Sequence, residues 1–312
     1  MSSIISRFAV MVSWGVAVVL TGCEHKELCY DHSHDTEIEI RFKWDAAPDA
    51  DPQTMVVNFF SLDGTHVDRR EFTSRDGGIV KVDGGEYRLL FHNGEMENVK
   101  EVVDNYDKYG LTTVEEALLA PMMRDLGAPP RPSSSAKEPV RSPAETVWAG
   151  KCEYVMIEHG KERQIVELYP EEVTARYTVE VVNVENLRDN LALSAALSGL
   201  SEQFNVSSGS AAGQPVTVPF TVERKDSRTL EAHFLTFGHC PDNNVVPHIL
   251  SIYTSNKSYF NIDVTDQVHN ASDDKNIYIR IDGLKLPDGE GKDDDLLSVD
   301  PWDEVENIEI VL

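Results

Sequence analysis

Residues 36–44 alternate without a break. Ile38, Ile40, Phe42 and Trp44 fall on one face, and Glu37, Glu39, Arg41 and Lys43 on the other. A period of two with one apolar face marks a half-buried strand, and the pattern predicts an antiparallel one here. Residues 55–60 read as a second strand after the Pro48 and Pro52 turn region, residues 79–82 as a third, and Tyr87, Leu89 and Phe91 alternate on a fourth. Turn chemistry comes from Leu62-Asp63-Gly64, Asp76-Gly77-Gly78 and Asp83-Gly84-Gly85. Strands that follow one another with no helical period between them argue for a sandwich rather than a βαβ fold.

The pattern changes over residues 95–145. Thr113 with Glu116 forms a capping box ahead of Ala117, Leu118 and Leu119, which predicts a short helix. Residues 127–143 carry Pro129, Pro130, Pro132, Pro139, Pro143 and three consecutive serines, the composition of a loop. Strand material returns over 147–168, so this Pro-rich stretch reads as a long surface loop of the first domain. From Thr174 the alternation restarts with Ala175, Tyr177, Val179 and Val181. Further strands are expected at 191–197, 216–222, 230–237, 249–253, 259–264, 277–281 and 308–312, and residues 191–200 suit a short helix equally well. The expected architecture is all-β: one Greek-key sandwich domain over residues 36–170 and a second over 171–312.

The N-terminus is different. Arg7 is the sole charged residue before position 24, and an apolar run over residues 8–20 ends in Leu20-Thr21-Gly22-Cys23. A charged start, a short apolar core and this tetrapeptide constitute a lipoprotein signal with its lipobox. The chemistry explains the spacing: small residues at Thr21 and Gly22 let a peptidase reach the bond before Cys23, whose thiol takes a diacylglycerol and whose freed amine is acylated. Residues 1–22 are then a signal peptide and 23–35 a lipidated tether, and two or more acyl chains hold a protein on a membrane without any spanning helix.

Composition narrows the chemistry. The 312 residues hold 28 Lys and Arg against 54 Asp and Glu, a formal charge of −26, which repels a phosphate backbone and excludes nucleic acid as a partner. Cys29, Cys152 and Cys240 remain after lipidation, an odd number; Cys152 could pair with Cys240 in an exported protein, but nothing in the sequence requires it. Cys29, His32 and His34, with His25 nearby, are metal-compatible side chains without a closed zinc spacing, and read as tether. The acidic stretch from Asp288 to Glu306 lacks the EF-hand spacing and reads as a solvated loop. No catalytic residue, metal or cofactor is assigned: Ser210 sits in a Ser/Ala/Gly loop rather than a nucleophile elbow, there is no phosphate-cradling glycine loop and no His-Glu-x-x-His pair. His239 and Cys240 are adjacent and point apart. Asp263-Val264-Thr265-Asp266 reads as a structural corner, since Asp and Thr side chains bond their own backbone at a strand end.

The lipobox, the strand Glu-Ile-Glu-Ile-Arg-Phe-Lys-Trp at 37–44, the run Gly-Gly-Glu-Tyr-Arg-Leu at 84–89 and the run Tyr-Phe-Asn-Ile-Asp-Val-Thr-Asp at 259–266 together resemble the outer-membrane lipoproteins of gut Bacteroidota, the fimbrial anchor and minor fimbrillin-like group. The resemblance implies two tandem transthyretin-like sandwiches, a surface location on the outer membrane and fimbrial subunits as partners. No arginine-bounded propeptide site of the kind used by shaft subunits is visible, which favours an anchor, a cap or an unrelated surface lipoprotein. The alternative function is glycan binding in a polysaccharide-uptake system, for which Trp148, Trp302, Tyr106 and Tyr109 are the candidate aromatics. At the C-terminus Ile308, Ile310 and Leu312 alternate. They are expected either to close their own sandwich as its last strand or to complete a neighbouring subunit.

Overall fold

The computed structural model describes residues 35–120, 122, 126–160, 163–241, 246–287 and 302–304. Strand β1 (Asp35–Phe42) realises the alternation read from the sequence: Ile38, Ile40, Phe42 and Trp44 are buried, while Glu37 is exposed. It lies between β4 (Gly77–Asp83) and β9 (Gln164–Leu168) in a three-stranded sheet. Its pairing with β9 is parallel, with Ile40 opposite Val166, so the antiparallel expectation fails on that edge. Toward β4 the Phe42 amide meets the Asp76 carbonyl and Lys81 lies beside Glu37, the opposite order expected of an antiparallel neighbour. Alternation reports which face is buried and carries no information on a partner's direction.

Across the core stands a five-stranded sheet in the order β10 (Glu171–Glu172), β8 (Trp148–Ile157), β5 (Gly85–Asn93), β2 (Met55–Phe60), β3 (His66–Phe72). The inner faces of the two sheets meet around Ile38, Ile40, Phe42, Val57, Phe59, Leu89 and Phe91. All six residues of β2 are buried, because Phe60 on its outer face belongs to a different core, with Leu90, Tyr106 and Tyr109. Burial on both faces turns alternation into a continuous apolar run. Strand β3 has no counterpart in the sequence reading: His66-Val67-Asp68-Arg69-Arg70-Glu71-Phe72 offers little apolar periodicity. It is a charged edge strand, with Arg70 and Asp68 paired at 2.7 Å. Charge on an edge discourages further pairing there.

A second sandwich follows. Its smaller sheet runs β14 (Glu223–Asp226), β15 (Thr229–Thr236), β11 (Ala175–Glu185), β18 (Asn276–Lys285). The larger sheet is built on β12 (Leu193–Asn205), which pairs along one edge with β13 (Ser210–Thr221). On its other edge β12 takes β16 (Ile249–Thr254) over residues 193–197 and β7 (Gly110–Thr113) over residues 203–205. Strand β17 (Ser258–Asp263) extends the sheet beyond β16, and β6 (Val99–Val102) extends it beyond β7. Tyr177, Val179, Leu197, Val218, Ile252, Phe260 and Ile279 fill the space between the two sheets. Of residues 191–200, which suit either period, those from Leu193 on are therefore strand.

One local expectation is corrected. Among the described residues no helix runs on from Thr113, which ends β7; the Ala120 amide instead closes a turn on the Ala117 carbonyl and the Met122 amide another on the Leu119 carbonyl. Leu118, Leu119 and Met122 are apolar because they pack on Ala196 and Tyr253 of the larger sheet. Cys152 and Cys240 form no disulfide with each other. The Pro-rich segment is a loop as expected, tied to β13 by the Thr217 amide on the Pro139 carbonyl and the Arg141 amide on the Thr217 carbonyl.

The β6–β7 ribbon, missing from the sequence reading because it is short and interrupted by turn residues, carries the link between the two sandwiches. Its turn is a single 3-10 segment, Tyr106–Lys108, capped by Asn105. Tyr109 then points onto the outer face of the five-stranded sheet. Its hydroxyl accepts from Asn58 Nδ2 at 2.8 Å, lies 2.8 Å from His92 Nε2 and donates to Glu101 Oε2 at 2.8 Å. Arg69 on the edge strand reaches the other Glu101 oxygen at 3.1 Å. The rings of Tyr106 and Tyr109 both meet Phe60 edge to face. Burial would raise the Glu101 pKa; the hydrogen bond and charge of His92 and the bonds from Tyr109 and Arg69 outweigh it and hold the carboxylate at about 2. Burial and the adjacent Glu101 push the Tyr109 hydroxyl far up, so it stays protonated and able to donate.

Two measurements check this description. Phe42 packs edge to face on Phe72 with ring centroids 5.8 Å apart, and Phe42→Ala is expected to cost about 3–5 kcal/mol in chemical denaturation. Glu39→Ala removes a partly solvated pair with Arg41 and is expected to leave the midpoint essentially unchanged; equal losses would contradict the facing of β1. The second measurement concerns Glu101. Its folded pKa of about 2 lies below the ordinary 4.5, so its ionised form favours the folded state; that stability is complete above pH 4.5 and is lost as pH falls toward 2. Glu153, also held at about 2 by Lys151 and Arg88, adds its own acid sensitivity. Denaturation from pH 7 to pH 2.5 should therefore show a shallower acid loss for Glu101→Gln than for wild type, though not a flat one. Parallel curves would contradict it.

Candidate functional site

Cys23 and its lipobox Leu20, Thr21 and Gly22 lie outside the described residues, as do Cys29, His32 and His34 and the alternating Ile308, Ile310 and Leu312. What the structure describes is the surface to which the chain's last part is joined. Strand β17 pairs with β16 along its length, from Tyr253 opposite Tyr259 to Ile249 opposite Asp263. On its other edge the two-residue β19 (Asp303–Glu304) pairs in parallel with Ser258 and Tyr259. Just before it, the Trp302 ring stands edge to face on Tyr253, centroids 5.7 Å apart. Residues 302–304 are thus fixed at the edge of the larger sheet.

The far end of β17 is the corner read from the sequence. Asp263 Oδ1 accepts from the Thr265 amide at 3.0 Å and from the Thr265 hydroxyl at 2.5 Å, and the same hydroxyl oxygen accepts the His248 amide at 2.9 Å. This pins β17 to the start of β16 and opens a short helix, α1 (Thr265–His269). The aromatics named for glycan contact do not form an exposed platform. Tyr106 and Tyr109 are buried in the junction core, Trp148 meets Trp44 edge to face, and Trp302 packs on Tyr253. Aromatic rings serve a sugar only where their faces are open, and these are used in packing.

His239 and Cys240 do not form a base and nucleophile pair. Cys240 is buried with Sγ toward the Gly213 carbonyl at 3.8 Å, whereas the His239 ring faces His248 and His269. The sequence reading did not join these three histidines, since separations of 9 and 21 residues match no short-range motif and only the sheet order brings them together. Burial lowers the His248 pKa to about 4, with the nearby His269 and His239 adding to the fall against the Ser198 carbonyl; burial and His239 lower His269 as well. Both imidazoles are neutral at pH 7.

Among known proteins, a stretch of 97 residues is 28% identical to the candidate fimbrium anchoring subunit Fim4B of Bacteroides ovatus. The stretch is 30% of this chain, and the match spans only 28% of that protein. A solved structure of a candidate adhesin from Bacteroides ovatus has the same fold with a TM-score of 0.59 and 18% identity, covering 86% of this chain and 99% of that one. The fimbrial anchor protein Mfa2 of Porphyromonas gingivalis gives a TM-score of 0.51 and 13% identity over 80% of this chain and 90% of its own. The family model described as a domain of unknown function, DUF5119, matches residues 22–221, taking in the first sandwich, the β6–β7 ribbon and the β12–β13 pair that receives it. The chain belongs to the DUF5119 family.

Proposed function

We propose that the protein is a lipid-anchored surface component of a fimbrium, of the anchor type, which joins partner subunits by β-strand pairing. The observation that carries this reading is the 97-residue similarity to an anchoring subunit, supported by a fold shared with the anchor Mfa2. The lipobox ending at Cys23 supports outer-membrane attachment through acyl chains. The edge of β17, which β19 covers over Ser258 and Tyr259, supports a role for the alternating Ile308, Ile310 and Leu312 in strand pairing, because main-chain bonds along an edge give affinity and alternate side chains give register.

Two experiments test the two halves of this proposal. Radiolabelled palmitate should mark the wild type and fail to mark Cys23→Ala, which should leave the membrane fraction; equal labelling would overturn lipid anchoring. Deleting residues 307–312 should abolish co-purification with fimbrial shafts. If the strand serves a neighbour, the monomer's melting curve is unchanged; if it closes its own sheet first, the curve moves down as well. A truncated protein that still joins shafts would overturn strand pairing through this segment.

A further inference from the structure

The pairing along β12 leaves a gap. Strand β16 ends its contact at Leu197 and β7 begins at Gln203, and the intervening edge is met by the segment after β15, where His239 bridges Leu200. The Ser201 amide bonds the Gly238 carbonyl and the Cys240 amide bonds the Gly199 carbonyl, so His239 is fixed by backbone on both sides. His248, immediately before β16, is fully buried, and His269 is the exposed last residue of α1. Three separate elements thus deliver imidazoles to one point. Their ligand nitrogens all lie within 4.8 Å of one another, with His248 Nε2 and His269 Nε2 2.9 Å apart.

We propose that His239, His248 and His269 bind one divalent transition-metal ion of the zinc class, leaving a coordination position open toward solvent. Metal–nitrogen bonds of about 2.0–2.1 Å in a tetrahedral set place ligand nitrogens about 3.3 Å apart, a spacing these rings reach by small side-chain rotations. The outer hydrogen bonding is that of ligating histidines. His248 Nδ1 lies 2.9 Å from the Ser198 carbonyl, which accepts its proton and leaves the Nε2 lone pair aimed at the cluster. His239 Nδ1 faces the Cys240 carbonyl at 3.3 Å, which likewise leaves its Nε2 as the ligand atom. Imidazole is a good ligand for zinc, copper and nickel and a poor one for calcium or magnesium, so the set selects among cations by ligand type. A bound ion would clamp α1 and the β15–β16 connection onto the gap in β12, and its open position would accept water or a carboxylate.

The full-length protein in detergent, stripped with a chelator, is titrated with zinc sulfate in a calorimeter and melted with and without the ion. One zinc per chain is expected, with a raised melting temperature. Cobalt loading should give the visible bands of a tetrahedral site. His269 is exposed, so His269→Asn is expected to fold with an unchanged melting temperature in chelator, and its zinc affinity should fall at least 100-fold. His248→Asn, at the buried position, should lose binding in the same way if it folds, and His239→Asn provides a second partly exposed test. Zinc bound as tightly by His269→Asn and His239→Asn as by wild type would overturn the proposal, as would binding lost instead with Cys29→Ser or His32→Asn in the tether. No binding by the wild type would also overturn it.

Discussion

The hydroxyl of Tyr109 and the ring below it join what would otherwise be two separate sandwiches. The five-stranded sheet of the first must bury its outer face as well as its inner one, because Phe60 and Leu90 are apolar on the outside. Asn58 sits among them, fully buried, and a buried amide without partners would be costly. The β6–β7 ribbon meets both needs: its tyrosines cover Phe60, and the Tyr109 hydroxyl accepts from Asn58 while donating a hydrogen bond to Glu101. The same ribbon is hydrogen-bonded into the second sandwich through β12. Neither sandwich can be drawn apart from the other without exposing apolar rings and stranding polar groups in one step.

Strand β1 was legible because one of its faces is partly solvated and its side chains alternate, and β2 was legible as an apolar run because both its faces are covered. Strand β3 was not, since an edge strand protected by Arg69, Arg70, Asp68 and Glu71 has exchanged apolar periodicity for charge. The ribbon escaped notice for another reason: Val99 and Leu111 are too few to set a period, and the core that buries them also draws on residues as distant as Phe204 and Phe237. Leu118 and Leu119 misled in the opposite sense, because an apolar cluster behind a capping pair reads as helix until the surface that receives it is known. The histidine cluster was invisible on the same grounds, as each ligand comes from a different element and the spacing reflects sheet order rather than a motif.

A body locked at its middle suits a protein proposed to hold a fimbrium to a membrane. Under that proposal load enters through Cys23, ahead of β1, and leaves near the edge of β17, so every route between them crosses the junction. The three histidines gather beside the stretch of β12 that lies between its pairings with β16 and with β7, where His239 bridges Leu200. A metal there would reinforce the sheet that carries the same load. Proposed strand pairing and proposed metal binding thus act on one larger sheet, and proposed anchoring acts on the sandwich that the ribbon ties to it.

The central claim is that Tyr109 and the ribbon make the two sandwiches one cooperative unit. Differential scanning calorimetry tests it most directly, by comparing the measured unfolding enthalpy with the van't Hoff enthalpy for wild type and for Tyr109→Ala. The account predicts one transition with matching enthalpies for wild type, and two resolved transitions once Tyr109 is removed. Two transitions in the wild type, at temperatures that Tyr109→Ala leaves unmoved, would contradict it.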